Sequence, residues 1–175
     1  EYAIKRAVRF RGAKLILIDP RQTELAPFAQ FWLRPIICSD SALLHNMAKF
    51  IIDENLIDKE FIEQRTRGFD KYVRALHGYV PDETEITTGI PAESVQDVAR
   101  IFARADKASV VYGAGITRYP SKISVIDALS NLILLTGNVI DAKLRLYPVS
   151  QANNSRGAIE MGVTPDLLPG YQSIL

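Results

Sequence analysis

Lys14-Leu15-Ile16-Leu17-Ile18-Asp19-Pro20-Arg21 is the stretch of sequence that decides the fold. Its apolar run is too short for a helix and is typical of a parallel strand that is buried on both faces. Proline ends the strand, since it cannot donate a hydrogen bond within a central strand. Ligands of open α/β sheets bind outside the carboxyl ends of the strands, so Asp19 could accept hydrogen bonds from a ribose or a nucleobase. Arg21 could pair with a phosphate or stack on a base, and the alternative is a plain turn with a solvated arginine.

Helices and strands alternate on both sides of this stretch. A helical pattern begins at Tyr2 and stops at Gly12, and apolar runs at residues 31–37 and 108–112 are typical of further strands. The other helices are predicted to begin at Ser39 or Asp40, at Asp58, at Phe69, at Ala92, and at Ser121 or Ser124. Residues 81–91 are expected to form an irregular link that contains a short turn or helix. The pattern predicts an α/β domain over residues 1–146, with a mostly parallel sheet flanked by helices, and an irregular segment over residues 147–175.

Composition and charge narrow the classes of function. The 175 residues are 47% hydrophobic and 23% charged, which is typical of a soluble globular domain. A net charge of +1 gives no broad field for nucleic acid or an anionic membrane, and no apolar run approaches the roughly 20 residues of a membrane span. Because the chain starts inside a helical pattern without an initiator Met, we expect it to be a piece of a longer polypeptide.

Cys38 is the one cysteine of the sequence. We therefore expect no internal disulfide, no metal cluster held by cysteines of this chain alone, and a reducing cytoplasmic setting. The thiol is expected to be a small buried apolar group rather than a nucleophile. His45 and His77 have no carboxylate or cysteine at ligand spacing, so the sequence predicts neither a catalytic residue nor a metal ligand.

Two further places could contact a nucleotide. The carboxylate of Asp40 could accept two parallel hydrogen bonds from the Watson–Crick edge of guanine, and the alternative is an ordinary helix cap. Gly113-Ala114-Gly115 follows the strand at residues 108–112, where free backbone amides could approach a phosphate. A structural turn is the alternative for this short glycine motif.

The order of these motifs resembles that of the molybdopterin oxidoreductase family. Residues 12–24, GAKLILIDPRQTE, match the family segment GAKxIxxDPRxTE, and residues 40–44 match its TDxALL segment. The similarity continues collinearly over nearly the whole chain, through residues 51–69, 79–92, 112–117, 134–138 and 161–171.

The resemblance implies a subunit that binds a molybdopterin guanine dinucleotide with molybdenum or tungsten, although the cofactor site can be lost in members of the family. It implies iron–sulfur clusters on other segments and other subunits of a redox complex as partners. Asp19, Pro20 and Arg21 would lie at one guanosine, and Asp40 would read the guanine edge. The second nucleotide site would be lined by Gly113, Gly115 and Thr117, with Asn138 nearby.

One segment departs from the formate dehydrogenase pattern. Where those enzymes tend to carry NPxRGQNNxQGA, Ser150 matches the arginine that would pair with formate and Ala152 matches the glutamine. Serine cannot supply a bidentate cation for a carboxylate substrate. The departure favours the large iron–sulfur subunit of NADH:quinone oxidoreductase as the main interpretation. A formate dehydrogenase alpha subunit is the first alternative, and an unrelated nucleotide-binding α/β module is the second.

Overall fold

The computed structural model of the chain describes residues 1–119, 122–140, 143–149, 154–163, 167–170 and 172–173. Two of its helices end at glycines with positive φ, and one of these begins at a proline. Gly12, with φ 67°, ends the first helix. Gly89, with φ 70°, ends the helix that begins at Pro81. The helices are α1 (Tyr2–Arg11), α2 (Asp40–Asp53), α3 (Lys59–Arg65), α4 (Phe69–Leu76), α5 (Pro81–Thr88), α6 (Ala92–Ala103), α7 (Ala114–Thr117), α8 (Lys122–Leu135) and α9 (Ser155–Glu160), with a 3₁₀ turn at Ala26–Phe28.

The strands of the described residues are short and pair two by two. They are β1 (Ile16–Ile18), β2 (Phe31–Leu33), β3 (Val110–Tyr112), β4 (Val139–Ile140), β5 (Lys143–Leu144), β6 (Leu146–Pro148), β7 (Leu167–Leu168) and β8 (Gln172–Ser173). β1 pairs in parallel with β2, and β3 pairs in parallel with β6. β4–β5 and β7–β8 are antiparallel. The α/β class is confirmed, and within the described residues the parallel strands form two separate pairs.

The hydrophobic core lies around α2, which packs against α6 and α8. Its apolar positions recur at helical spacing, so one face of each helix is buried. The fully buried aliphatic side chains of these helices are Leu43, Ala48, Ile51, Val95, Val98, Ala99, Ala128, Leu132 and Ile133. Burying a leucine or isoleucine side chain stabilises the fold by about 1.5–3 kcal/mol, so this three-helix layer holds the scaffold together.

Helices α2 and α8 run in the same direction. Near their first turns, Ser41 Oγ and Ser124 Oγ lie 3.2 Å apart. Beyond the other end of α2, the backbone N–H of Asp58 donates to the carbonyl of Leu135, at the end of α8, over 2.8 Å. The first turns of α2 and α8 therefore open on the same side of the molecule.

Several local expectations need correction. Helix α5 occupies eight residues of the link predicted at residues 81–91. Ser124 lies inside α8 instead of capping it, and Ser121 lies outside the described residues. Cys38 is exposed, with a left-handed backbone at φ 70°, so the expectation of a buried thiol was wrong.

The stretch after residue 146 contains more regular structure than expected, because its described residues include most of β6 and all of α9, β7 and β8. The division into a domain over residues 1–146 and a following segment stays a prediction. Among the described residues, no helix is both long and apolar enough to cross a membrane.

Candidate functional site

Asp19 lies at the carboxyl end of β1 and builds a turn with its own side chain. Its Oδ1 accepts a hydrogen bond from the backbone N–H of Arg21 at 2.8 Å, and Arg21 Nε lies 3.4 Å away. Its carbonyl accepts from Trp32 Nε1 at 2.8 Å, and its N–H donates to the carbonyl of Leu33 at 3.1 Å. The Arg21 side chain remains 82% exposed. One carboxylate oxygen therefore fixes the turn, and the other makes no hydrogen bond to a described residue.

Asp40 is the first residue of α2, and a short loop joins it to the end of β2. Its neighbour Ser39 occupies the cap position, but the Ser39 hydroxyl donates to the carbonyl of Ile36 at 2.6 Å and does not cap the helix. The Asp40 carboxylate is half-buried and forms no ion pair within the described part of the chain. Burial raises the pKa of Asp40, and a hydrogen bond from its own backbone N–H lowers that pKa in part. This desolvated acceptor would gain from a ligand that brings N–H donors.

Raising the pH is expected to lower the free energy of unfolding, because the half-buried Asp40 carboxyl group ionises. Because its folded-state pKa lies above the ordinary value of 3.8, its contribution is complete below 3.8 and is lost as the pH rises through the raised value. We expect the wild-type chain to lose more stability than Asp40→Asn as the pH rises above about 4. Urea denaturation at several pH values measures this difference. Parallel profiles for the two proteins would contradict the prediction.

The glycines after β3 fold into a single helical turn. Gly113 precedes α7, and a Cβ added there would lie 3.9 Å from Cβ of Val149, whose N–H donates to the carbonyl of Tyr112 at 2.7 Å. Thr117 Oγ1 donates to the carbonyl of Gly113 at 3.5 Å. A Cβ at Gly115 would meet nothing within 4 Å. The backbone around Gly115 is therefore open to approach, whereas Gly113 is fitted against the strand end.

Asn138 is buried and uses its amide within the protein. Oδ1 accepts from the backbone N–H of Ala108 at 2.6 Å, and Nδ2 donates to Thr136 Oγ1 at 2.8 Å. Ala108 precedes β3, whereas Gly113 follows it. The structure thus places Asn138 at the end of β3 opposite the glycines, where it ties the strand to the end of α8.

The structure brings some of the predicted residues to a common edge. β1 and β2 are parallel, so Asp19 and the chain that leads to Asp40 leave the sheet at the same carboxyl edge. The contact between Ser41 and Ser124 sets the first turn of α2 beside the start of α8, and α7 packs against α8. β1 and β3 belong to separate strand pairs, so the structure relates Asp19 to the chain before Asp40, and α7 to the start of α8. Asn138 lies at the opposite end of β3.

A cleft of about 610 Å³ contains none of these residues. Its polar lining comes from α2, α4, the chain after α4, and α8, and consists of His45, Tyr72, Tyr79, Ser124, Asp127 and Asn131. The sequence predicts no ligand role for His45, because no carboxylate or cysteine lies at ligand spacing from it. The sequence did contain one signal for the cleft. Ser124, Asp127 and Asn131 recur at positions i, i+3 and i+7 of α8, so they share one helix face.

Other predicted features cannot be placed. Ser150 and Ala152 lie outside the described residues. Within the described ranges, no group of three or more His, Cys, Asp or Glu side chains could hold a metal ion.

Comparison with known proteins adds four similarities. A family model for molybdopterin oxidoreductases matches residues 2–168. The chain is 39% identical over 163 residues to formate dehydrogenase H of Escherichia coli, covering 93% of the chain and 23% of that protein. It is 38% identical over 164 residues to the F420-dependent formate dehydrogenase subunit alpha of Methanocaldococcus jannaschii, covering 94% of the chain and 24% of that subunit. It also matches the structure of acetylene hydratase from Pelobacter acetylenicus with a TM-score of 0.72 and 33% identity, over 75% of the chain and 18% of that structure.

These similarities bear on the two interpretations of the sequence. Both curated relatives are formate dehydrogenases, so the comparisons favour that alternative over the large subunit of NADH:quinone oxidoreductase. The chain spans about a quarter of the length of these relatives.

Proposed function

Since this chain belongs to the molybdopterin oxidoreductase family, we propose that it is the part of a formate dehydrogenase alpha subunit that holds the guanine nucleotide ends of the cofactor. One observation carries the proposal: the chain leaves β2 at the carboxyl edge and leads to Asp40, whose half-buried carboxylate has no ion-pair partner among the described residues. Guanine presents adjacent N–H donors, which match two carboxylate oxygens. The whole subunit would work with other subunits of a redox complex in the cytoplasm.

The surrounding residues fit a nucleotide. The second oxygen of Asp19 could accept from a ribose hydroxyl, with Pro20 fixing the turn, and the exposed guanidinium of Arg21 could pair with a phosphate. Gly115 and Thr117 could approach the second nucleotide through the open backbone of α7. Asn138 would act indirectly, by holding the start of β3 in place.

The cofactor's molybdenum or tungsten would supply the redox chemistry when bound, and iron–sulfur clusters on other segments would carry the electrons. The residues described here would bind and orient the nucleotides. They supply acceptors for guanine and ribose, a cation for phosphate, and a rigid helix start that sets their spacing.

Replacing Asp40 with asparagine should weaken guanine binding. The amide places a donor opposite the donor edge of guanine and removes the charge that strengthens the hydrogen bonds. We expect the affinity of the 175-residue chain for GMP to fall about tenfold, with little change for AMP. Isothermal titration calorimetry with both nucleotides measures this selectivity.

Asp106→Asn is the matched control, because Asp106 is an exposed turn residue with the same change of charge. GMP affinity should be unchanged in this variant. The assignment of Asp40 would be wrong if Asp40→Asn bound GMP as tightly as the wild type.

Ser150 and Ala152 favour a second candidate, a scaffold subunit like that of NADH:quinone oxidoreductase. Metal and pterin analysis of the longer polypeptide separates the two functions. Stoichiometric molybdenum or tungsten with pterin supports the formate dehydrogenase proposal, whereas iron alone supports the scaffold.

A further inference from the structure

The cleft beside α2, α4 and α8 has a negatively charged wall. Ser124, Asp127 and Asn131 lie along one face of α8 and line the cleft together. Asp127 is exposed and forms no ion pair with a described residue. Its carboxylate is therefore available to a ligand.

The opposite wall is aromatic. The rings of His45 and Tyr79 stack with centroids 4.7 Å apart and an interplanar angle of 13°. His45 Nδ1 lies 2.7 Å from the carbonyl of Ser41, so this nitrogen carries the proton and donates it to that oxygen. In the neutral ring, Nε2 is then left as a hydrogen-bond acceptor.

The lining of the cleft also includes a polar group that no described residue satisfies. The Tyr72 hydroxyl is buried and makes no hydrogen bond of acceptable geometry to a described residue, although Asn131 lies close enough to affect it. Burial raises the pKa of Tyr72 to about 12, so the hydroxyl stays neutral. Buried polar groups without partners are rare in folded proteins, and one beside a cleft is a candidate for contact with a ligand.

The balance of lining groups indicates the ligand. Asp127, Asn131 and the imidazole offer acceptors, and the described residues that line the cleft include no lysine or arginine. A planar cation can stack on an aromatic ring while its N–H groups pair with a carboxylate. We propose that this cleft binds a guanidinium group, with Asp127 as its counter-ion and Tyr79 as its aromatic contact. The site is separate from the proposed nucleotide residues and does not depend on them.

Titration of the 175-residue chain with agmatine, followed by NMR of backbone and side-chain amides, tests the site. We expect saturable shifts at Asn131 and at the Tyr79 backbone amide. Asp127→Asn should weaken agmatine at least about tenfold, because it removes the charge that pairs with the guanidinium. Asn131→Asp adds a second negative charge to the same wall and should strengthen binding. Asp106→Asn, which changes the charge outside the cleft, should leave the affinity unchanged.

Three further ligands test which chemical group the cleft binds and whether that group comes from a small molecule or a polypeptide. 1,4-Diaminobutane should bind more weakly than agmatine because an ammonium lacks the planar fork, and succinate should not bind. An acetyl-Gly-Arg-Gly-amide peptide that binds more tightly than agmatine would identify the source as an arginine of a polypeptide, and the reverse order would identify a small molecule. Equal affinity of agmatine for Asp127→Asn and wild type, or preferred binding of succinate, would overturn the proposal.

Discussion

Gly137→Ala is expected to lower the free energy of unfolding by about 3 kcal/mol. Gly137 follows α8 with φ 63°, a conformation that alanine adopts at a cost of about 1 kcal/mol. The added Cβ would also overlap the carboxylate of Asp58. That carboxylate caps α3 by accepting from the N–H of Phe61 at 3.0 Å. Moving it would cost about 1 kcal/mol for the cap and about as much again for the crowding.

Gly12→Ala is the matched control for this prediction. Gly12 has nearly the same φ, 67°, but a Cβ there meets nothing within 4 Å. Its replacement should therefore cost only about 1 kcal/mol, the conformational part alone. Urea denaturation followed by circular dichroism measures both values. Equal losses of unfolding free energy at the two positions would contradict the prediction, because they would show that the Asp58 carboxylate moves aside without a cost in stability.

Asn46→Leu is expected to raise the free energy of unfolding by about 1–2 kcal/mol. Asn46 lies in α2 with 0% of its surface exposed, and neither its Oδ1 nor its Nδ2 has a hydrogen-bond partner among the described residues. Burying an amide without partners costs free energy that an apolar side chain of similar size would not cost. Leucine has the same number of side-chain heavy atoms with the same branching at Cγ, and its two methyl groups would extend the surrounding core. Thermal and urea unfolding of the two proteins provides the measurement.

Asn46→Asp gives the contrasting result. It keeps the shape but buries a carboxylate without a cation, so we expect a loss of about 3 kcal/mol or more at neutral pH. If Asn46→Leu lowered the stability instead, the amide would have a partner that leucine cannot replace, such as an internal water.

Local patterns predicted the elements that depend on local forces. The run that ends at Asp19 forms β1, and the helical spacing of apolar residues gives α2, α6 and α8. Each of these segments buries one face or stripe, so the spacing of its own apolar residues predicts the element. The α5 helix also had a signal, because Pro81 at its first position, acidic residues in its first turn and Gly89 at its end are all typical of helix boundaries. The turn-forming residues of the same segment favoured an irregular link, and for that reason only a short turn or helix was expected there.

Contacts between distant segments could not be read in the same way. β3 pairs with β6, and nothing in the three residues of either strand specifies the other. The two parallel pairs remain separate because sheet order depends on packing of the whole chain. Asn138 illustrates the same limit, since only the folded structure shows that its amide is used by Ala108 and Thr136.

The candidate site was predictable in position more than in detail. The carboxyl end of a parallel strand directed attention to Asp19, but the sequence could not show that Oδ1 is already used by the turn. Asp40 could be identified as a helix start, whereas its half-buried state depends on neighbours from elsewhere in the fold. The cleft was missed because its wall combines side chains from α2, α4 and α8, which approach only after folding.

The exposed thiol of Cys38 makes the proposed nucleotide edge experimentally addressable. It is the single cysteine among 175 residues and lies two positions before Asp40. A maleimide fluorophore or a nitroxide spin label would therefore attach at one defined place, with no other cysteine to remove first. The environment of such a probe would report binding at Asp40 in real time, while every residue assigned to the nucleotide remains as in the natural sequence.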